Sequence, residues 1–196
     1  ICKNISTIKT DCIIFSDFRH GIFNRDTIDK FIKSIPKNSL KVADSQVASR
    51  WGNILEFQNF DLITPNEREA RFALGDQDSV IRPLAKELHK KAKCKNLILK
   101  CGDRGLITYR SHKRKDLRAF FVIESFAEKI VDPVGAGDAL LAYSTLTLLS
   151  TNNEVIASII GSFAAGIECE LNGNHPVKIN QILEKINFIE KKANYL

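Results

Sequence analysis

The sequence predicts an α/β fold in which a mostly parallel sheet lies between two layers of helices. Short apolar runs of strand length alternate along the chain with segments whose apolar residues recur at helical spacing, which is the pattern of a parallel sheet covered on both faces. Two alternating runs late in the chain predict a hairpin, and hence antiparallel pairing at one edge of the sheet. The 196 residues suffice for a sizeable core, and they show neither a repeat nor an obvious linker. We therefore expect a single domain over 1–196.

Each element follows from a local pattern. Buried strands are expected at 11–17, 40–44, 60–67 and 96–102. Helices are expected at 24–35, 66–74 and 79–94, although Pro83 leaves the start of the third open. The hairpin runs are 105–111 and 117–126, and three helices follow at roughly 137–150, 153–169 and 178–191.

Composition excludes several classes of protein. No apolar run reaches the ~20 residues that a membrane span needs, and no signal peptide opens the chain, so no membrane association is expected. Five cysteines, an odd number without a C-x-x-C pair, predict reduced thiols in the cytoplasm and no zinc site. The chain contains no Met, and we expect it to be a fragment of a longer protein.

The net charge of +6 favours the approach of an anionic ligand. The densest basic stretches, 86–95 and 110–118, are typical of a helix surface and a hairpin tip, and neither alternates aromatic residues with cations. We therefore predict no nucleic-acid partner. A nucleic-acid-binding domain remains an alternative if both stretches share one face.

Polar residues stand at or just after the predicted strand ends. In open parallel sheets, ligands bind beyond the carboxyl ends of the strands. The sequence therefore predicts a site at that edge, formed by the residues Asp17, Asp44, Asn66, Gly102 and Asp132.

The motif VDPVGAGDAL at 131–140 places small residues at the start of an apolar helix. Gly135, Ala136 and Gly137 would let a phosphate reach the unpaired N–H groups of the helix N-terminus. Asp138 could then accept the proton of an attacking hydroxyl. Taken by itself, the motif is explained equally well by a tight turn in which the negative charge of Asp138 is favourable in the first helical turn.

Two further stretches are candidates for the same site. Asn66 and Glu69 would share one face of a first helical turn, where they could hold the water shell of Mg²⁺ or simply form a capping box. In the segment 97–109, Gly102 and Gly105 frame a turn, and its backbone with Lys100 could line nucleotide phosphates. P-loop and G-x-G-x-x-G motifs are both absent from the sequence.

In this order the three features resemble the ribokinase-like (PfkB) carbohydrate kinases. The family signature D-T-x-G-A-G-D reads DPVGAGD at 132–138, and the family motif N-x-x-E reads NERE at 66–69. The segment FSDFRHGIF at 15–23 further resembles S-D-Y-x-K-G-x-L of the bacterial heptose-phosphate kinases, which is the nearest branch that we can name.

The resemblance implies a fold, an activity and roles for residues. ATP would donate its γ-phosphoryl group to a hydroxyl of a sugar or sugar phosphate, with Asp138 as the base and Gly135–Gly137 as the anion hole. Asn66 and Glu69 would organise Mg²⁺, and Asp132 would help to bind a monovalent cation such as K⁺. The residues expected to border the nucleotide are Lys100, Gly102, Asp103, Gly105 and, beside the adenine, Ser162.

Some positions depart from the family pattern. Pro133 replaces the usual Thr, and His20 stands where the heptose branch has Lys. The resemblance covers only the C-terminal two-thirds of the family, so we expect the lid and part of the sugar pocket to be absent. We expect nucleotide binding with poor or no sugar phosphorylation, and an exposed sheet edge that would allow a homodimer. A non-catalytic nucleotide- or sugar-sensing module on the same fold is the alternative function.

Overall fold

The computed structural model describes residues 1–47, 52–110 and 119–193. The strands are β1 (Cys12–Asp17), β2 (Leu40–Ser45), β3 (Leu62–Ile63), β4 (Asn96–Lys100), β5 (Leu106–Arg110) and β6 (Phe120–Ile123). The helices are α1 (Cys2–Thr7), α2 (Arg25–Ser34), α3 (Glu67–Leu74), α4 (Ile81–Ala92), α5 (Ala136–Thr151), α6 (Glu154–Cys169) and α7 (Ile179–Ala193). The predicted alternation of strands and helices is thus present, and α1 is an addition that the sequence patterns did not indicate.

The described residues divide into two compact units. The first comprises residues of Ile1–Gly102 and Leu106–Val122, and the second comprises Asp103–Gly105 and the chain from Ile123 onward. The single domain expected over 1–196 stays a prediction.

The sheet runs in the order β1-β2-β3-β4-β5-β6. The first four strands are parallel to one another, and β5 pairs antiparallel with β4. The α/β fold with a mostly parallel sheet and antiparallel pairing toward one side is therefore confirmed. Because parallel strands point the same way, the carboxyl ends of the first four lie at one edge of the sheet.

The third strand is shorter than the predicted 60–67. Pro65 lacks a backbone N–H, so the regular ladder cannot continue through it. Extended pairing nevertheless persists beyond β3, because Thr64 N donates to the carbonyl of Ala43 at 3.2 Å and Lys100 N donates to that of Pro65 at 2.9 Å. An isolated parallel bridge then joins Asn66 to Lys100. The start of α3 is therefore fixed beside the end of β4.

Most helix starts have a visible local cause. The side chains of Asn24, Asn66 and Asn153 accept backbone N–H bonds at the beginning of α2, α3 and α6. Pro83 lies in the first turn of α4, where a missing N–H costs little. In contrast, the N-cap of α5 is Gly135, which provides no side-chain cap.

Each unit has its own apolar core. In the first unit, Phe15 packs against the rings of Phe31, Phe57 and Phe60 at centroid distances of 5.6–6.3 Å. In the second, α6 and α7 bury Phe163, Ala164, Ile167 and Ile182. Within the described part of the chain, no helix is both long and apolar enough to span a bilayer.

The basic stretches behave differently. The lysines within 86–95 are exposed on and after α4, as predicted for a solvated helix surface. Of the second stretch, residues 111–118 lie outside the described residues.

Candidate active site

Asp44 and Lys100 form an ion pair at the carboxyl edge of the parallel strands. Asp44 ends the apolar part of β2 and Lys100 ends β4, and the Lys100 Nζ lies 3.1 Å from Asp44 Oδ2. Asp44 is only 6% exposed. Its second oxygen, Oδ1, is buried and has no hydrogen-bond partner among the residues that the structure describes. A buried carboxylate oxygen in this state can accept a bond from a ligand or its water.

Asn66 and Glu69 form a reciprocal cap at the start of α3. The Glu69 backbone N–H donates to Asn66 Oδ1 at 2.8 Å, and the Asn66 backbone N–H donates to Glu69 Oε2 at 2.6 Å. The capping box, one of the two interpretations of this motif, is therefore present. It also holds both side chains in fixed positions on the first turn.

Burial raises the pKa of Glu69 from 4.5 to about 7, and the negative charge of Asp44 acts in the same direction. The positive charge of Lys100 and hydrogen bonds from the Asn66 and Val47 backbones oppose this rise. Glu69 is 4% exposed, which accounts for the size of the desolvation effect. Its carboxyl group can therefore gain or lose a proton near neutral pH.

A cavity of about 440 Å³ opens beside this cluster. Asn66, Lys100 and Gly102 all line it, together with side chains of α3. Its volume falls within the range of small-molecule pockets, about 300–1,000 Å³. The structure thus brings three of the predicted site residues of the first unit around one space.

The turn after β4 contains the predicted glycines. Gly102 and Gly105 both adopt positive φ, at 64° and 79°. A Cβ on Gly105 would collide with the backbone of the 123–125 segment, coming within 2.7 Å of Ser125 N. Gly105 is therefore required by close backbone packing, while Asp103 is exposed in a 3₁₀ turn.

The GAGD motif starts α5 in the second unit. Gly135 is the N-cap, with φ 89° and ψ −20°, and Asp138 lies in the first turn. A Cβ on Gly135 would come within 2.6 Å of Asn174 Oδ1 and 2.7 Å of Glu168 Oε1. Glycine is therefore imposed at position 135 by local crowding and by backbone conformation.

Two more predicted residues lie in this unit. The Asp132 Oδ1 accepts a bond from Val134 N at 3.0 Å, so this carboxylate shapes the approach to Gly135. Ser162 is 5% exposed within α6, where it packs in the interior of its unit.

The sequence patterns missed a buried network around Asp17. This carboxylate, 2% exposed, accepts bonds from Ser45 Oγ and Asn53 Nδ2, each at 2.8 Å, and from the Arg19 backbone N–H at 2.8 Å. The polar residue at the end of β1 indicated Asp17, but no local pattern pointed to Asn53. His20, which is exposed, does not join the network's hydrogen bonds.

The chain matches the family model described as "pfkB family carbohydrate kinase" over residues 24–174. Among curated relatives, it is 22% identical over 188 residues to the bifunctional protein HldE of Sulfurimonas denitrificans, covering 94% of this chain and 37% of that protein. The HldE of Helicobacter hepaticus is 24% identical over 183 residues, covering 91% of this chain and 36% of that protein. The chain thus spans little more than a third of the length of these relatives.

Solved structures share the fold. Phosphofructokinase-2 from Escherichia coli, in complex with potassium, superposes with a TM-score of 0.80 at 17% identity, covering 96% of this chain and 60% of that one. Ribokinase from Thermotoga maritima gives a TM-score of 0.74 at 21% identity, covering 95% of this chain and 59% of that one. The family match covers most of the chain, and the chain therefore belongs to the pfkB family of carbohydrate kinases.

Proposed function

We propose that this chain is the nucleotide-binding and catalytic portion of a kinase that transfers the γ-phosphoryl group of ATP to a hydroxyl of a sugar or sugar phosphate. The observation that carries the proposal is the start of α5, which is made of Gly135, Ala136 and Gly137 without a side-chain cap and is followed at once by Asp138. Membership of the carbohydrate kinase family supports the same reaction.

The chemistry follows from the helix terminus. The first N–H groups of a helix lack partners within it, and the helix dipole places partial positive charge there. The backbone of Gly135–Gly137 would bind the phosphate oxygens on which charge develops during transfer. Asp138 would accept the proton of the acceptor hydroxyl as its oxygen attacks phosphorus.

The described residues are compatible with Mg²⁺ held largely through water. They contain no group of three or more His, Cys, Asp or Glu side chains that could hold a metal ion. Mg²⁺ usually keeps several waters and takes one or two carboxylates together with substrate phosphates. Glu69, positioned by Asn66, and the unpartnered Oδ1 of Asp44 fit that kind of site. The ion would neutralise charge on the phosphates.

Other ligands of the site are proposed from the family. The nucleotide would lie against Lys100, Gly102, Asp103 and Gly105, with Ser162 on the helix that flanks the adenine. Asp132 would help to bind K⁺, and a fold relative that was solved with potassium supports this proposal.

The acceptor would be a sugar or a sugar phosphate, and the heptose-phosphate kinases are the nearest branch. The relatives named HldE agree with that branch. The position at which that branch has Lys is held here by His20, which is exposed. We propose a cytoplasmic location, as five cysteines, an odd number without a C-x-x-C pair, suggest.

The test measures ATP-dependent phosphorylation of a panel of sugars and sugar phosphates in the presence of Mg²⁺. It uses this chain and the longest protein that contains it. Asp138→Asn should lower kcat by about 10²–10⁴-fold, because it removes the base. Asp29→Asn, at an exposed position on α2, is the matched control and should keep the activity. Full activity of Asp138→Asn would show that the base is assigned wrongly.

A further inference from the structure

The cavity beside α3 has a mostly basic lining. Three basic side chains, Arg68, Arg71 and Lys100, line it together with one acidic side chain, Glu67. Basic side chains around a space of about 440 Å³ favour an anionic ligand. The question is which of the three cations can bind one.

Arg71 is already engaged. Its Nη2 and Nε donate to Glu67 Oε1 at 2.7 and 3.0 Å, one helical turn away. Its Nη1 also points toward the carbonyl of Asp76, at 3.4 Å. Arg71 therefore serves to join α3 to the loop that follows it, and its charge is balanced.

Lys100 is partly engaged. One of its three donors goes to Asp44 at 3.1 Å, and this pair balances its charge. The remaining donors can still bond a ligand, but the pair contributes little net attraction for an anion.

Arg68 is different. Within the described residues it forms no ion pair and no hydrogen bond, and its guanidinium lies over the ring of Phe72 at 5.7 Å from the centroid. Stacking on an aromatic face orders the planar group while leaving its N–H edge available. This edge matches phosphate oxygens in a two-point arrangement.

We infer that Arg68 binds the phosphate groups of the nucleotide in this cavity, which Lys100 and Gly102 also line. The inference rests on the proposed function for the identity of the ligand. Arg68 lies on α3, the helix of the N-x-x-E motif, but neither that motif nor the capping box assigns it a role in binding. The cavity is larger than one phosphate group requires, so it has room for a polyphosphate.

The test is calorimetric titration of the chain with inorganic tripolyphosphate, which requires no turnover. Arg68→Gln should weaken binding by about 10- to 100-fold, as expected for the loss of charge-assisted hydrogen bonds. Arg68→Lys should fall between this variant and the parent, because it keeps the charge but loses the two-point geometry.

Arg82→Gln is the matched control. Arg68 and Arg82 are both exposed. Arg82 likewise lies over a phenylalanine ring, that of Phe120 at 4.8 Å, but it does not line the cavity. It should leave binding unchanged. Circular dichroism and thermal unfolding verify that each variant is folded, so that weaker binding is attributed only to a folded protein.

Three results would overturn the inference. These are equal binding by Arg68→Gln and the parent, equal losses in Arg68→Gln and Arg82→Gln, or no binding of tripolyphosphate by the parent. If Arg68→Gln weakens the binding of glucose 6-phosphate but not that of tripolyphosphate, the assignment of Arg68 to the nucleotide phosphates is also overturned. If this chain binds tripolyphosphate through Arg68 but the longest protein that contains it phosphorylates no acceptor of the panel, this inference is retained and the proposed function is contradicted.

Discussion

Replacing Glu69 with Gln removes the charge that this buried side chain can carry. The side chain is 4% exposed, and burial raises its pKa from 4.5 to about 7. Gln occupies nearly the same space and also serves at the third position of a capping box, so the start of α3 should be retained. The variant therefore isolates the ionisation of Glu69 from its structural role.

The sign and size of the effect follow from the pKa. Because the pKa is higher in the folded than in the unfolded protein, protonation of Glu69 stabilises the fold fully below about pH 4.5, and this stabilisation is lost as the pH rises through about 7. One pKa unit corresponds to about 1.36 kcal/mol, so the full difference amounts to roughly 3 kcal/mol. Any movement of Lys100 toward the ionised carboxylate would reduce this figure.

The assay is urea unfolding at pH 5, 6, 7 and 8 for both proteins. The free energy of unfolding of Glu69→Gln, minus that of the parent, should increase by up to about 3 kcal/mol between pH 5 and pH 8. Glu184→Gln, at an exposed position on α7, should show no such trend. A difference that stays constant across this range, or that decreases, would refute the assignment of a raised pKa to Glu69.

Three further substitutions test the local packing. Gly135→Ala should lower the free energy of unfolding by about 1–3 kcal/mol, because φ is 89° and the new Cβ meets Glu168. An unchanged melting temperature would contradict this expectation. Gly105→Ala should lower the melting temperature more than Gly75→Ala does. Both glycines have positive φ, but only a Cβ on Gly105 would meet backbone atoms. Equal decreases in melting temperature would contradict the packing argument. Asp17→Asn should cost about 1–3 kcal/mol in urea unfolding by weakening its buried hydrogen bonds, and a value near zero would show that the network contributes little.

The sequence was informative wherever the cause of a structure is local. Alternating apolar periods gave the order of strands and helices, and Asn66 with Glu69 correctly indicated a helix start. The GAGD motif marked the beginning of α5 because glycine at positive φ leaves a clear trace in a sequence. For the same reason, the turn at Gly102 and Gly105 could be placed in advance.

Long-range partners could not be predicted in this way. The bond between Lys100 and Asp44 joins residues 56 positions apart, and that between Asn53 and Asp17 joins residues 36 positions apart. No periodic pattern in the sequence indicates either pair, because each depends on which segments of the chain lie side by side in the fold. Likewise, Arg68 resembles any surface arginine until the folded helix shows that its neighbours Arg71 and Lys100 are already paired.

The ion pair of Lys100 also bears on how a divalent cation would enter the site. Asp44 lies close enough to Glu69 for its negative charge to raise the pKa of Glu69, and without a cation the burial of both carboxylates would be costly. Lys100 supplies that cation within the chain itself, 3.1 Å from Asp44. Because Lys100 already neutralises Asp44, the pair offers a bare divalent ion little net attraction. We accordingly expect Mg²⁺ to enter together with the phosphates of the nucleotide, whose negative charge supplies the attraction, and not to bind to the ligand-free protein beforehand.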